Sequence, residues 1–413
     1  MTHTREFTPR SMAYKGLHPD VFKTMDGSPQ GGFYPAKIGF NVEMLLAKPP
    51  TVVKHIEEQS KRVLDAETPH MGSNLLPRAI DVRKLPASLL PRALFRASDG
   101  TAIKALVLHP TGTTGLNFSG RASLAIRDMD ADHLWYVYEG SGGCYTDFGV
   151  LSFAAGDFIY IPRHTLACFV APMGAAMIGI HSMKGLRLPT RRPYDNVDVP
   201  FNDFGVRLPE PYGTNGGPEI KYVFVDRGGE RSCVEYAYTP FLCVAWKGAP
   251  YPFAIHTSKL NLPYVQSIHP DPSNFAVFAS PDASAVVSVL GPRFVHSLPY
   301  AHLNEWDELL FYAKEYNARK GSGGGVGDSG TATLHPQGIW HGPQMAAFKH
   351  WQGPQSPKDI PWVDDLAIMF ETRAPLKLCE GATDVLIPGY EKSWLEGWEE
   401  HRARQGHPSG LEA

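Results

Sequence analysis

The sequence of 413 residues has few cysteines and no excess of charge of either sign. Its five cysteines are scattered and form no Cys-x-x-Cys pair, which argues against a disulfide scaffold and against a zinc site of that type. Lysine and arginine number 39 and aspartate and glutamate 42, so the charge points to neither nucleic acid nor an anionic membrane as a partner. The first ten residues are charged and lack an apolar segment, and we therefore expect no signal peptide.

Long hydrophobic segments are also missing. The one apolar stretch that raises the question of a membrane helix, residues 166–180, is shorter than a membrane-spanning helix requires. Pro172 and Gly174 divide it into two pieces of strand length, which predicts two buried strands around a turn. We therefore expect a cytoplasmic protein with no membrane association.

Glycine and proline are abundant, with 40 and 36 residues, and they favour short strands joined by turns over long helices. From about residue 79, short β-branched or aromatic runs are bounded by turn residues, which is typical of a β-sandwich or barrel. These runs cover residues 101–110, 133–140, 149–162, 219–226, 241–246, 264–272, 275–280 and 285–295. Residues 1–40 show no periodicity, and we interpret them as an arm that lies over the body or over a neighbouring subunit.

Three other segments have recognisable local patterns. Thr51 is a candidate N-cap for a helix over residues 52–67, where apolar residues recur at helical spacing. Residues 391–405 predict a second helix, with Trp394 and Trp398 one turn apart on one face, that packs against the body. The glycine-rich residues 321–330 lack the closing Gly-Lys-Ser/Thr of a phosphate-binding loop, and we interpret them as a mobile loop.

Histidine is the most informative residue type, because six of the 17 histidines lie between residues 269 and 350. His302, Glu308 and His341 supply two imidazoles and one carboxylate, the donor set of the non-haem Fe(II) facial triad, which also suits Mn(II). Residues six apart on a straight strand are about 20 Å apart, so a shared metal requires the chain to turn between His302 and Glu308. Asn304 is the candidate turn residue. The alternative is an ordinary hydrogen-bonded pair of His302 and Glu308 without a metal.

Three longer runs carry a family resemblance. IHPDPS at 268–273, PYAHLNEWDELL at 299–310 and LHPQGIWHGP at 334–343 resemble homogentisate 1,2-dioxygenases in order and interval. Segments 244–253 and 366–378 resemble the same family, so the resemblance covers roughly residues 240–400.

The resemblance implies a role for each site histidine. It implies Fe(II) bound by His302, Glu308 and His341, with His269 as the acid/base beside a substrate hydroxyl. It further implies that His335 is a proton donor or a hydrogen-bond partner in the pocket. Alternatively, His269 is a turn residue and His335 steadies His341.

The family fold implied by the resemblance is a mainly β bicupin of the double-stranded β-helix (jelly-roll) type, with an N-terminal β-sandwich domain, a few short helices and assembly into trimers or hexamers. We divide the chain into an N-terminal arm (1–40), a β-sandwich or degenerate cupin domain (41–258) and a catalytic cupin domain (259–413). His133, Glu139 and His164 form an echo of the triad in the first half. This echo is either a second metal site or a decayed duplicate.

The substrate is less constrained than the metal site. The family has a Tyr and a Lys shortly after the ligating Glu, and the positions aligned from Glu308 are Asn317 and Lys320, with Tyr316 one residue earlier. Lys320 and Tyr316 are therefore candidate substrate contacts. The implied reaction is Fe(II)-dependent cleavage by O2 of the ring of homogentisate or a related para-dihydroxylated aromatic. Alternatives are a gentisate-like or hydroquinone substrate, a non-catalytic bicupin that binds a small ligand, and a metal-dependent isomerase or hydrolase on the same fold.

Overall fold

The computed structural model describes the chain in segments, and within them it is mainly β. These segments are residues 22–26, 42–62, 75–110, 124–187, 205–213, 216–248, 250–260, 262, 265–266, 276–295, 301–319, 322–350, 357–359 and 361–404. The predicted mainly β class with few short helices is confirmed.

The described segments contain 27 strands, β1 to β27 in chain order. The first fourteen are Phe22–Asp26, Val42–Leu46, Val53–Arg62, Arg78–Asp81, Arg92–Ala97, Ala102–Leu108, Ala125–Asp128, Asp132–Thr146, Gly149–Ala154, Asp157–Ile161, Leu166–Val170, Ala175–Ser182, Val206–Arg207 and Tyr222–Arg227. The remaining strands are Glu230–Tyr236, Cys243–Gly248, Phe253–His256, Val265–Gln266, Ala276–Ala279, Ala285–Leu290, Arg293–Val295, Asp307–Tyr312, Thr331–His335, Trp362–Val363, Ala367–Thr372, Leu376–Leu378 and Leu386–Ile387.

Helices are short in the described segments. The α-helices are Met345–His350 (α1) and Ser393–Arg404 (α2). The 3-10 helices are Val82–Lys84, Thr257–Lys259, Asn317–Arg319, Pro357–Asp359, Glu380–Val385 and Tyr390–Lys392. Among the described residues, none of these helices is long and apolar enough to cross a membrane.

The first barrel is built around the long strand β8. The first half of β8 pairs with β10 and β12, and its second half pairs with β9 and β11, so one strand joins two sets of neighbours. Gly140 lies where the partners change, with φ +80, and a Cβ there would come within 2.2 Å of the Gly174 carbonyl oxygen. Alternate residues of β8, such as Trp135 and Val137, point into an apolar interior with Met177.

The second barrel is built on a sheet in the order β19-β20-β25-β22-β23-β4-β27 among the described strands. Strand β22 lies between β23 and β25, and both pairings are antiparallel. Leu309 and Phe311 of β22 face a core shared with the first barrel. Leu310 and Tyr312 face the opposite way, into a cluster with Met369. The two units agree with the mainly β fold expected from the sequence.

Two strands cross between the barrels. Strand β4 comes from early in the chain but pairs with β23, and β26 comes from late in the chain but pairs with β5. Aromatic rings meet at the shared core, including Tyr136 with Phe311 at 6.2 Å between centroids. The predicted boundary at residues 258 and 259 stays a prediction, and these exchanged strands connect the parts on either side of it.

Residues 166–180 and the C-terminal helix have the predicted structures. Residues 166–180 contain the buried strands β11 and β12, separated by a turn that ends at Gly174 with φ +85. The helix predicted over residues 391–405 is observed as α2. In the first segment, turn residues marked the boundary between the two strands. In the second, two tryptophans one turn apart marked the packed face of the helix.

The helix predicted over residues 52–67 is wrong. Residues 53–62 form strand β3, which pairs antiparallel with β15. Val53 and Ile56, which suggested an apolar helical face, are instead exposed on an outer strand. Lys54 lies 3.6 Å from Glu235 across the pair. The hydrogen bonds between β3 and β15 therefore stabilise a strand here, although the local sequence has a weak helical pattern.

Two further sequence interpretations are only partly visible. Of the predicted arm, residues 22–26 form β1 and pair with β2, and the rest lies outside the described residues. Residues 322–330 of the glycine-rich segment form consecutive turns, with Val326 buried against Ile387 and Tyr390. The mobility of this loop stays a prediction.

Candidate metal centre

The candidate centre lies at the end of the second barrel where β22 begins. His302 and His341 form an isolated antiparallel bridge, with backbone N to O distances of 2.8 and 3.1 Å. Glu308 is the second residue of β22. The irregular residues 303–306 turn the chain between His302 and Glu308, as their spacing required. The structure therefore brings together three residues from two segments that are distant in sequence.

The three side chains converge through single donor atoms. Glu308 Oε2 lies 3.8 Å from His302 Nε2 and 3.7 Å from His341 Nε2. All three donor atoms lie within 4.8 Å of one another. The side chains of Glu308 and His341 are buried, whereas that of His302 is 22% exposed. A ligand can therefore approach the cluster from the side of His302.

His341 has the features of a metal ligand. Its Nδ1 lies 3.0 Å from the carbonyl oxygen of Ile339, which accepts the ring proton and leaves Nε2 with its lone pair. Within the described part of the chain, this buried Nε2 has no hydrogen-bond partner. The 3.7 Å to Glu308 Oε2 is too long for a hydrogen bond. Two atoms that each bind one ion at about 2.1 Å can lie up to about 4.2 Å apart, so the donor set fits a divalent metal.

A set of buried hydrogen bonds orients the Glu308 carboxylate. Asn304 Nδ2 donates to Oε2 at 3.1 Å, and His335 Nδ1 lies 3.3 Å from Oε1. The other ring nitrogen of His335 lies 2.8 Å from the Tyr390 hydroxyl. His335 is fully buried and stacks on His341, with ring centroids 4.5 Å apart. These contacts fix the direction of both the carboxylate and one imidazole.

The charges of the cluster follow from its surroundings. Burial raises the pKa of Glu308, but the interactions with the three neighbouring histidines outweigh it and hold the pKa well below its usual value. Burial, together with the charge of Arg319, lowers the pKa of His335 well below its usual value. Glu308 is therefore an anion and His335 a neutral imidazole near neutral pH.

Comparisons with known proteins agree on one family. The sequence model described as the C-terminal part of homogentisate 1,2-dioxygenase matches residues 260–402, which include all three converging side chains. A protein of Saccharolobus solfataricus named as a dioxygenase is 29% identical over 67% of this chain and 71% of its own length. A homogentisate 1,2-dioxygenase of Nitrobacter hamburgensis is 28% identical over 65% of this chain and 62% of its own length. Residues 260–402 are therefore similar to the C-terminal part of homogentisate 1,2-dioxygenases, and about two thirds of the chain is similar to proteins named as dioxygenases.

The matches leave part of the relatives uncovered. The chain spans less than two thirds of the length of the homogentisate 1,2-dioxygenases that it matches. Among solved structures, a cupin barrel protein from Leptotrichia buccalis covers 72% of this chain and 96% of its own, with 10% identity and a TM-score of 0.36.

Several residues that surround the centre carried no recognisable signal in the sequence. Arg319 is buried, donates from Nε to the Tyr312 hydroxyl at 3.0 Å and from Nη1 to the Gly342 carbonyl at 2.6 Å. Its guanidinium also lies 6.0 Å from the ring centroid of Trp394. Trp394 in turn packs on Tyr390. The only hint was the pair of tryptophans in the last helix, which predicted packing but not its location.

The predicted substrate contacts have different outcomes. His269 and Lys320 lie outside the described residues. Tyr316 is buried and stacks on Tyr312 at 5.2 Å, and burial raises its pKa to about 12. Both ring nitrogens of His335 contact protein atoms, so its contact with substrate stays a prediction, and the observed contacts are those of a positioning residue.

The echo in the first barrel is different from the predicted one. His133, Glu139 and His164 do not converge: Glu139 is exposed further along β8, and His164 lies in a turn with φ +70. His133 instead meets Asp128 and His181. The sequence template failed because a turn separates His302 from Glu308, whereas His133 and Glu139 lie on the same strand, β8, where residues six apart are about 20 Å apart.

Proposed function

We propose that this protein is an Fe(II)-dependent dioxygenase that cleaves the ring of homogentisate or a related para-dihydroxylated aromatic with O2. The observation that carries the proposal is the convergence of His302, Glu308 and His341 inside the region that matches the family. Two imidazoles and a carboxylate on one side of a site leave other positions open for substrate and dioxygen.

The proposed Fe(II) would be held by His302, Glu308 and His341, and when bound it supplies electron transfer between ring and dioxygen that side chains cannot supply. Glu308 contributes the negative charge, since its pKa is held well below the usual value by the neighbouring histidines despite its burial. The bond from His341 to the Ile339 carbonyl aims Nε2 at the same point.

The positions of the protons on Tyr390 and His335 support an orienting role for His335. Burial raises the pKa of Tyr390, so the hydroxyl keeps its proton and donates a hydrogen bond to His335 Nε2. The proton of the neutral ring then resides on Nδ1 and faces the ionised Glu308. In this arrangement His335 holds the carboxylate and has no proton to give to a substrate.

The substrate-handling roles rest on the family resemblance. We propose that His269 accepts the proton of the coordinating hydroxyl and that Lys320 meets a substrate carboxylate. Tyr316 is the remaining candidate contact, although its ring packs on Tyr312. A substrate would enter beside His302, the most exposed of the three proposed ligands.

Oxygen uptake tests the reaction. Protein reconstituted anaerobically with Fe(II) is mixed with homogentisate, gentisate or hydroquinone, and oxygen consumption and product absorbance are recorded. We expect stoichiometric oxygen use with homogentisate. Oxygen consumption only with gentisate or hydroquinone would support the proposed ring cleavage and assign a different substrate. No oxygen use with any para-diphenol by iron-loaded protein would refute the proposal.

Iron content tests the ligands separately. His302→Ala should lose the Fe(II) held at the second barrel, because one of three donors is removed. His55→Ala is the matched control, since His55 is exposed on β3, far along the chain from the centre. A His302→Ala protein that retains the parent's iron would contradict the ligand assignment.

A further inference from the structure

A second cluster of metal-ligand side chains lies at one end of the first barrel. Asp128 ends β7, and His133 and His181 lie directly opposite each other on the antiparallel strands β8 and β12. Asp128 Oδ2 lies 2.9 Å from His133 Nε2 and 3.4 Å from His181 Nδ1. The two rings are perpendicular, with centroids 4.9 Å apart. One donor atom of each residue thus faces a common point.

His181 has a buried nitrogen that the protein leaves unsatisfied. Its side chain is 9% exposed, and within the described residues Nδ1 makes no hydrogen bond. A buried polar atom without a partner costs about 1–3 kcal/mol. An ordinary pair of Asp128 and His133 would explain the 2.9 Å contact but not the orientation of His181 Nδ1 toward the same oxygen.

Asp128 is held in the orientation of a one-oxygen ligand. Its Oδ1 accepts the backbone N–H groups of Asp130 and Ala131 at 2.8 and 3.1 Å. This leaves Oδ2 for the two imidazoles.

A cavity adjoins the cluster. It has a volume of about 60 Å³, and its lining includes Asp128 and His133 beside apolar side chains such as Trp135 and Phe169. A space of this size holds several water molecules. An ion bound by three protein atoms would therefore have room for further ligands, which is the arrangement of an open metal site.

The charge of the cluster favours a cation. The carboxylate of Asp128 lies between the two imidazoles, which opposes a free anion at this point.

We propose that Asp128, His133 and His181 bind a first-row divalent metal ion with at least one open position toward the cavity. Two imidazoles and one carboxylate form the same donor set as in the second barrel, but they come from different strand positions. This site is independent of the proposed dioxygenase centre, and the chain would hold two ions.

The test is metal stoichiometry with Zn(II) and Co(II) added to metal-free protein, measured by elemental analysis and by the visible spectrum of Co(II). We expect two ions per chain. His181→Ala should lose one equivalent and retain the ion at the second barrel. Asp128→Asn should also lose one equivalent, and its amide oxygen can still accept the N–H groups of Asp130 and Ala131, so the turn is preserved. His55→Ala should retain two ions.

The outcomes separate this site from the dioxygenase centre. One ion per chain in the parent that persists in His181→Ala and is lost in His341→Ala would overturn the second site and leave the proposed function intact. One ion that is lost in His181→Ala and persists in His341→Ala would support the first-barrel site and refute the proposed iron ligands. Circular dichroism of each variant identifies any loss of metal that comes from unfolding.

Discussion

The Tyr390 hydroxyl provides a direct test of how the second-barrel centre is held. Tyr390 is 1% exposed and His335 fully buried, and their contact is 2.8 Å. Tyr390→Phe removes one oxygen and keeps the ring that packs on Trp394 at 5.1 Å. The substitution therefore removes the hydrogen bond to His335 and keeps the apolar packing on Trp394.

The magnitude follows from burial. Leaving His335 Nε2 without its donor should lower the free energy of unfolding by about 1–3 kcal/mol, because no water replaces the hydroxyl at a fully buried ring. The ring proton would also be free to move from Nδ1 to Nε2, which would remove the contact with Glu308. Residues that orient metal ligands directly contribute about 10–100-fold to affinity, and Tyr390 acts one contact further away. We expect a loss of about 3–10-fold in metal affinity, equal to about 0.7–1.4 kcal/mol.

The assays are urea unfolding of metal-free protein and competition of the second-barrel site with a chelator. An Asp128→Asn background removes the signal expected from the first barrel. Tyr212→Phe is the matched control, because the Tyr212 hydroxyl donates to the Thr146 carbonyl at 2.9 Å in the first barrel. It should lower stability but leave metal affinity unchanged. Equal metal affinity in Tyr390→Phe and Tyr212→Phe would refute the reasoning that Tyr390 acts through His335 on Glu308.

Three further predictions concern the scaffold. Leu309→Ala should lower the free energy of unfolding by about 2–5 kcal/mol, measured by urea denaturation, because Leu309 is fully buried in the shared core. Gly140→Ala should cost roughly 2–5 kcal/mol in the same assay, and Gly228→Ala only about 1–2 kcal/mol, since both have positive φ but only Gly140 meets backbone atoms. Burial raises the pKa of Asp81, but the hydrogen bonds and charge of Arg83 outweigh this effect and lower the pKa below 3.8. The contribution of Asp81 to stability is therefore complete above about pH 4, and it is lost as the pH falls through the pKa of Asp81 in the folded protein. Asp81→Asn should therefore reduce the acid sensitivity of the unfolding midpoint, and an unchanged pH profile would contradict the assignment.

The proposed iron ligands could be found from the sequence because they lie in short runs with recognisable motifs. His302 and Glu308 are separated by a turn that their spacing alone required, and His341 lies within a His-Gly-Pro run. The residues that orient them could not be found in this way. Tyr390 reaches His335 from 55 residues further along the chain, and only the packing of the C-terminal segment brings them together.

Strand assignment succeeded where burial dictated the pattern and failed where it did not. Strand β12 is buried along its whole length and appears in the sequence as a continuous apolar run. Strand β3 exposes residues 53–57 and carries charges, so no alternation of apolar and polar residues marked it. Its structure depends on β15 as a partner, which is a long-range contact that local periodicity does not contain.

Strand register explains why the two barrels assemble the same donor set from different strand positions. Strand β8 lies between β10 and β12, and β22 lies between β23 and β25, so the two strands have corresponding neighbours. His133 is opposite His181 on β12. Glu308 is opposite His335 on β23, whose two ring nitrogens contact Glu308 and Tyr390. On its other side Glu308 is opposite Glu371, a buried carboxylate that accepts a hydrogen bond from Ser288 at 3.1 Å. Directly opposite residues share a face of the sheet, so the partner across the strand decides which atoms can meet. The first barrel therefore completes its cluster across the sheet, with an imidazole, and the second completes it from the His302–His341 bridge beyond the end of the strand.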